Sequence, residues 1–127
     1  MRRRWGAFLL LSLALSACRA SAPAPTGKAF DVSLEVDFGP AQRPPIRTVV
    51  EVRPGATAND ALSKVCSVKR GAVCCDPRET AGVDGVICRP ESNLWWILTV
   101  NGSRDVSPFK TSLKPGDRVR WAYVEEE

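Results

Sequence analysis

"LWWILTVNG", residues 94–102, is the stretch whose reading decides the fold. Neighbouring side chains of a β-strand point to opposite faces. Trp96, Leu98 and Val100 therefore share one side, and Trp95, Ile97 and Thr99 the other. The Asn101-Gly102 pair that follows is a strong type I′ hairpin signal, because both central residues of that turn need positive φ. Any returning strand must be short, since Pro108 removes a ladder donor. If Trp96 is core, Trp95 needs another explanation.

Working outward, the same period recurs. Phe30, Val32, Leu34, Val36 and Phe38 alternate with Asp31, Ser33, Glu35 and Asp37, the mark of a strand with one wet face. A Gly/Pro-rich turn at residues 39–45 leads to a second strand at residues 46–52. Arg53-Pro54-Gly55-Ala56 then fits a type II turn. Thr57 is placed as a helix N-cap, with Asp60 approximating a capping box. Ala58, Ala61, Leu62 and Val65 follow at i, i+3, i+4, i+7 and give the helix one inward face. Residues 67–90, punctuated by Gly71, Pro77, Gly82, Gly85 and Pro90, read as loop with one short extended piece at residues 85–88. Lys114-Pro115-Gly116-Asp117 is a further turn, and the last strand covers residues 118–124. Two strands, one helix and two or three more strands is the order of an α+β fold of the β-grasp (ubiquitin-like roll) kind. In it a mixed four- to five-stranded sheet packs on one helix.

The first 17 residues stand apart from that fold. Arg2, Arg3 and Arg4 precede a nearly apolar run at residues 5–15. Crossing a bilayer takes roughly 20 apolar residues, so the run reads as a secretory signal. Leu15-Ser16-Ala17-Cys18 looks like a bacterial lipobox, which predicts cleavage before Cys18 and diacylation of its thiol. Several chains on one cysteine anchor a protein far more firmly than a single acyl group. Arg19 stands where some lipoproteins carry an inner-membrane-retaining Asp, which favours the outer membrane in a two-membrane cell. Residues 18–28 form an Ala/Pro/Ser-rich tether, residues 29–124 one domain and residues 125–127 an acidic tail. The chain is expected in the cell envelope, on the periplasmic or extracellular side.

Processing also changes the charge. The whole chain carries 18 Lys+Arg against 14 Asp+Glu, a net +4. Loss of residues 1–17 removes three Arg and no acid, leaving 15 against 14, or +1. No basic run remains, so a nucleic-acid partner has no electrostatic footprint.

Export also governs the reading of Cys66, Cys74, Cys75 and Cys88. Four thiols outside the cytosol predict two disulfides. A bond between the adjacent Cys74 and Cys75 needs a strained ring. Cys66–Cys74 with Cys75–Cys88, and Cys66–Cys75 with Cys74–Cys88, both stay open. Each bridge contributes about 2–4 kcal/mol. The gaps of seven, none and twelve residues lack C-x2-C pairing, and there is no histidine. No metal site or redox pair is expected, and no cofactor. With no histidine base, no nucleophile elbow and no Gly-rich phosphate loop after a strand, the chain is not expected to be an enzyme.

Three runs carry a resemblance: "VEVRPGATANDALSKV" (50–65), "NLWWILTVNG" (93–102) and "LKPGDRVRWAYV" (113–124). Together they resemble the C-terminal β-grasp domain of transcobalamin-type proteins, of which bacteria carry exported versions of unknown function. The Trp-x-x-x-Val-Asn-Gly run from Trp96 and the Gly-Asp-x-Val-x-Trp-x-Tyr run from Gly116 are the most specific parts. The resemblance covers residues 29–124, and the cysteine-rich insert departs from the pattern. It implies a central final strand between the first strand and the tryptophan strand. Parity then puts Val32, Leu34, Val36, Leu62, Val65, Trp96, Leu98, Val100, Val119, Trp121 and Tyr123 in the helix-facing layer.

The outer layer holds Trp95, Ile97, Thr99, Arg118 and Arg120, with Asp31, Glu35 and Asp37 beyond. One reading is a charge ladder with Trp95 shielded by Phe109 or an arginine stem. The other is a flat aromatic-plus-arginine patch for a ligand or partner. The expected function is a membrane-anchored lipoprotein presenting a small ligand- or partner-binding module. The alternatives are a structural envelope lipoprotein without a ligand, and cobalamin-like small-molecule binding. In transcobalamin-like carriers the β-grasp closes over a cobalamin held mainly by a larger helical domain. No such helical domain is expected here, so a larger ligand, or a protein partner supplying the other half of the site, is expected in place of tight cobalamin binding by this chain alone.

Overall fold

Alternating sequence makes the first strand, and the rest of the large sheet assembles around it. The computed structural model describes residues 27–73 and 76–126. The signal sequence, Cys18, most of the tether, Cys74 and Cys75 lie outside the described residues. In chain order the elements are β1 (Phe30–Asp37), β2 (Ile46–Val52), α1 (Ala58–Ser63) and β3 (Val68–Arg70). They continue with β4 (Thr80–Val83), β5 (Val86–Ile87), β6 (Leu94–Val100) and β7 (Arg118–Glu125). The fold is α+β, with two sheets and one short helix.

The large sheet has the order β2-β1-β7-β6. β1 runs antiparallel to β2 and parallel to β7, and β6 is antiparallel to β7. The last strand thus lies between the first strand and the tryptophan strand, as expected. β6 is left as an edge. Val32, Leu34, Val36, Trp96, Leu98, Val100, Val119, Trp121 and Tyr123 are all buried in one cluster with Ala58, Ala61 and Leu62 of the helix. Burying such a side chain contributes about 1.5–3 kcal/mol before the entropy of ordering is subtracted.

The capping box is formed. The Thr57 hydroxyl accepts the Asp60 N–H at 3.4 Å, and the Asp60 carboxylate accepts the Thr57 N–H at 2.9 Å. The helix is shorter than its apolar spacing suggests: it stops at Ser63, and Val65 is 38% exposed. That corrects its placement in the inner layer. A helix ending one turn early leaves position i+7 of its apolar stripe outside the packed face.

The cysteine-bearing segment, expected to be mostly loop, holds the second sheet, β3-β4-β5. Tertiary bonds fix its short strands. The Trp96 indole N–H donates to the Val86 carbonyl at 2.8 Å, and the Tyr123 hydroxyl donates to the Ile87 carbonyl at 2.9 Å. Trp96 also packs edge-on against Phe38 (5.6 Å between centroids) and against Tyr123 (5.2 Å). The Asn101-Gly102 turn is present, with φ of 51° and 82°. Its returning strand shrinks to the single bridge Val100–Ser103. The Asn101 amide is instead clamped to β7, donating to Asp117 Oδ1 and accepting the Arg118 N–H. After β1 the chain turns at Gly39, with φ of 45° and the Tyr123 carbonyl oxygen where a Cβ would stand.

Candidate functional site

Strand parity distributes the outer-layer residues over the open face of the large sheet and the edge of β6. Trp95, Ile97 and Thr99 are all half-buried, and Arg118 and Arg120 are exposed. Register places Thr99 opposite Arg120, Arg120 beside Glu35, and Glu35 opposite Arg47. Arg120 lies 3.1 Å from Asp37 and 3.7 Å from Glu35, and Arg47 lies 3.5 Å from Glu35. The charge ladder is therefore real. Exposed pairs of this kind contribute about 0–1 kcal/mol each, so it neutralises the face more than it holds it together. Arg118 sits opposite Ser33 and takes no ion-pair partner among the described residues.

Trp95 is outside that ladder. Its indole N–H donates to Asn93 Oδ1 at 2.8 Å. The Phe109 ring lies under the Arg78 guanidinium at 4.3 Å. Trp95 and Ile97 contribute to a groove of about 420 Å³ along the β6 edge, whereas Thr99, Arg118 and Arg120 line a separate outer-face hollow of about 410 Å³. The five residues named together from sequence thus belong to two places.

The edge groove is bounded on one side by Trp95, Trp96, Ile97 and Leu98, and its floor includes Trp121. Thr80 of β4, with Val73, Glu79 and Cys88 next to the small sheet and Val106 and Pro108 from the loop after β6, also line it. At the groove Arg104 pairs with Glu126 at 2.6 Å. Trp121 is 1% exposed, and its indole N–H has no hydrogen-bond partner among the described residues. A buried donor left unpaired costs about 1–3 kcal/mol, so it demands an acceptor. Asn59, equally buried, accepts the Thr80 hydroxyl at 2.8 Å while its own Nδ2 is unpartnered among the described residues. Sequence reading missed Trp121, Thr80 and Val106 as groove residues. The one available signal was a donor-only indole placed on a strand's inner face among aliphatic neighbours.

Of the four domain cysteines, Cys66 and Cys88 are described, and both are free thiols that are not joined to each other. Their expected partners, Cys74 and Cys75, lie outside the described residues. Burial first, then the Asp84 carboxylate by charge and by hydrogen bond, pushes the Cys66 thiol up to about 12. Burial also raises the Cys88 thiol, despite the Trp96 N–H donated to its sulfur at 3.4 Å. Neither is a thiolate near neutral pH, so neither is a ready nucleophile. Among the described residues no three His, Cys, Asp or Glu side chains converge as metal ligands, and no helix is long and apolar enough to cross a membrane.

No family model matches the chain, and no curated protein matches it. Solved structures do. One is a protein from Ruminococcus gnavus ATCC 29149, assigned provisionally as metal-binding, at 19% identity and a TM-score of 0.54; the match covers 77% of this chain and 99% of that one. Another is haptocorrin in complex with Cbi, at 13% identity and a TM-score of 0.58, covering 81% of this chain. The likeness is one of fold. This chain spans only 27% of the length of haptocorrin.

Proposed function

We propose that this chain is a membrane-anchored lipoprotein whose β-grasp domain, transcobalamin-like in type, binds a ligand or partner in the groove beside β6. The β2-β1-β7-β6 order and the likeness to part of haptocorrin support the β-grasp reading. The single observation that carries the binding reading is the groove itself: an aromatic-walled concavity whose buried Trp121 N–H lacks an acceptor among the described residues. Pockets that combine apolar walls with a few convergent polar groups are the usual form of a ligand site. Binding rather than catalysis is the role proposed, because the groove contributes apolar shape with a few polar groups and its thiol, Cys88, is raised by burial.

Anchoring is tested by palmitate labelling of cells carrying the chain or its Cys18→Ala variant. Label should disappear and the protein should leave the membrane fraction in the variant; unchanged membrane association refutes the anchor. Binding is tested by cross-linking in intact envelopes, comparing wild type with Trp95→Ala. A molecule captured by wild type and lost in a variant of equal thermal stability supports the groove. Identical capture profiles favour the structural lipoprotein. Recovery of a corrinoid on the wild-type chain would make cobalamin-like binding the better reading.

A further inference from the structure

The edge of β6 is mostly occupied by the protein's own groups, with one gap. In an antiparallel ladder alternate residues turn both backbone groups away from the partner strand. Here those residues are Leu94, Trp96, Leu98 and Val100, since the Trp96 N–H reaches outward to Cys88 Sγ. Leu94 exchanges both bonds with Arg89, at 3.0 and 2.9 Å. Val100 exchanges both with Ser103, each at 3.0 Å. Between these closed ends the Leu98 N–H and C=O, and the Trp96 C=O, have no partner among the described residues. They open onto the groove that holds the unpartnered Trp121 N–H.

We propose that a short extended peptide segment pairs with β6 at Leu98, entering the gap as an added antiparallel strand. This rests on the groove being the binding site. A donor and an acceptor on one strand residue are met together by the N–H and C=O of one residue of a facing strand. Peptide addition at a sheet edge works in this way. The bridges at Leu94 and Val100 set the length, leaving room for about three residues, of which one makes the exchanged pair. The side chain of that residue lies on the inner face, beside Leu98 and towards Trp121. A hydroxyl or amide there supplies the acceptor that the buried indole lacks, and apolar flanking side chains fill the walls at Trp95 and Val106. The occupant is thus a stretch of apolar–polar–apolar sequence from a partner protein.

The test uses the full lipidated chain, 15N-labelled and held in detergent micelles. It is titrated with acetyl-Val-Thr-Val-methylamide, with the same peptide carrying a central Val, and with the Thr peptide N-methylated at every backbone amide. The expected result is a downfield shift and slowed hydrogen exchange at the Leu98 amide, and a shift of the Trp121 indole N–H that the Val peptide fails to produce. N-methylation should weaken binding about tenfold or more, since it removes the donor and leaves the Leu98 carbonyl unpaired. Movement of the Trp95 and Trp121 indoles with an unmoved Leu98 amide overturns strand pairing and leaves the groove as a site for another ligand. Equal binding of the N-methylated peptide overturns it too. Absence of any shift with all three peptides also overturns the peptide assignment, and the Trp95→Ala capture experiment then decides the groove separately.

Discussion

The adjacent indoles should respond very differently to truncation. Trp96 is 7% exposed, packs on Phe38 and Tyr123, and donates to the Val86 carbonyl. Removing a large buried aromatic ring costs about 3–5 kcal/mol. Losing the indole bond to the Val86 carbonyl adds about 1 kcal/mol. Against a total stability of about 5–15 kcal/mol, Trp96→Ala should remove a large share of what holds the domain folded. Trp96→Phe keeps a ring and loses the indole bond, for about 1–3 kcal/mol. Trp95 is half-buried and bonded only to the neighbouring Asn93 side chain, so Trp95→Ala should cost about 1 kcal/mol or less. At this domain size 1 kcal/mol corresponds to about 4–8 °C in Tm. Urea unfolding followed by far-UV circular dichroism, with m held constant across the set, gives the comparison. A Trp95→Ala variant as damaged as Trp96→Ala, or a Trp96→Phe variant without cost, would refute the parity on which the groove rests.

Thr57→Ala removes one side of the capping box and should cost about 1 kcal/mol in the same urea assay, within the range of about 0.5–2 for lost caps. Gly39→Ala places a Cβ against the Tyr123 carbonyl at positive φ and should cost at least about 1–3 kcal/mol; a neutral result would mean that the turn after β1 is misplaced. Cys66 gives a pH dependence in the reduced protein. Its unfolded thiol titrates at 9.0 and its folded thiol at about 12, so the unfolded state loses its proton first. Its contribution is complete below pH 9.0 and declines as pH rises from 9.0 towards about 12. Urea midpoints of reduced wild type should therefore fall faster with rising pH than those of Cys66→Ala, and parallel curves would refute the assignment.

The features legible in the sequence are those set by neighbours along the chain. Period-two alternation in β1 and β6 and the Thr57–Asp60 spacing each act within a few residues, and each is found in place. The small sheet is different. Val68-Lys69-Arg70 and Val86-Ile87 are too short to show a period, and they become strands because Trp96 and Tyr123 extend polar tips to the β5 carbonyls. Val65 was misplaced because apolar spacing continues past the point where the helix ends. For the candidate site, alternation exposed Trp95, Ile97, Thr99, Arg118 and Arg120 as one outer layer. It said nothing of how a second sheet and the loop after β6 would cover part of the edge and divide that layer in two.

That division explains why an edge strand is left with an unfilled gap. An exposed edge is a hazard for uncontrolled association, and proteins usually cover it, twist it or charge it. Here β6 is covered at Leu94 by Arg89 and at Val100 by Ser103, and the Arg104–Glu126 pair guards the mouth. Had the small sheet merely served to close the edge, a third bridge at Leu98 would complete it. Instead the walls stand back by a groove's width, and the Cys88 sulfur, a weak acceptor, takes the Trp96 N–H. Beside that gap lies a fully buried indole donor with no partner among the described residues. Open donors at the bottom of a concavity are costly to the free protein, and the cost is recovered when an occupant brings acceptors. A sheet edge closed on both sides and open at one residue is therefore better matched to a short, specific guest than to another copy of a full strand.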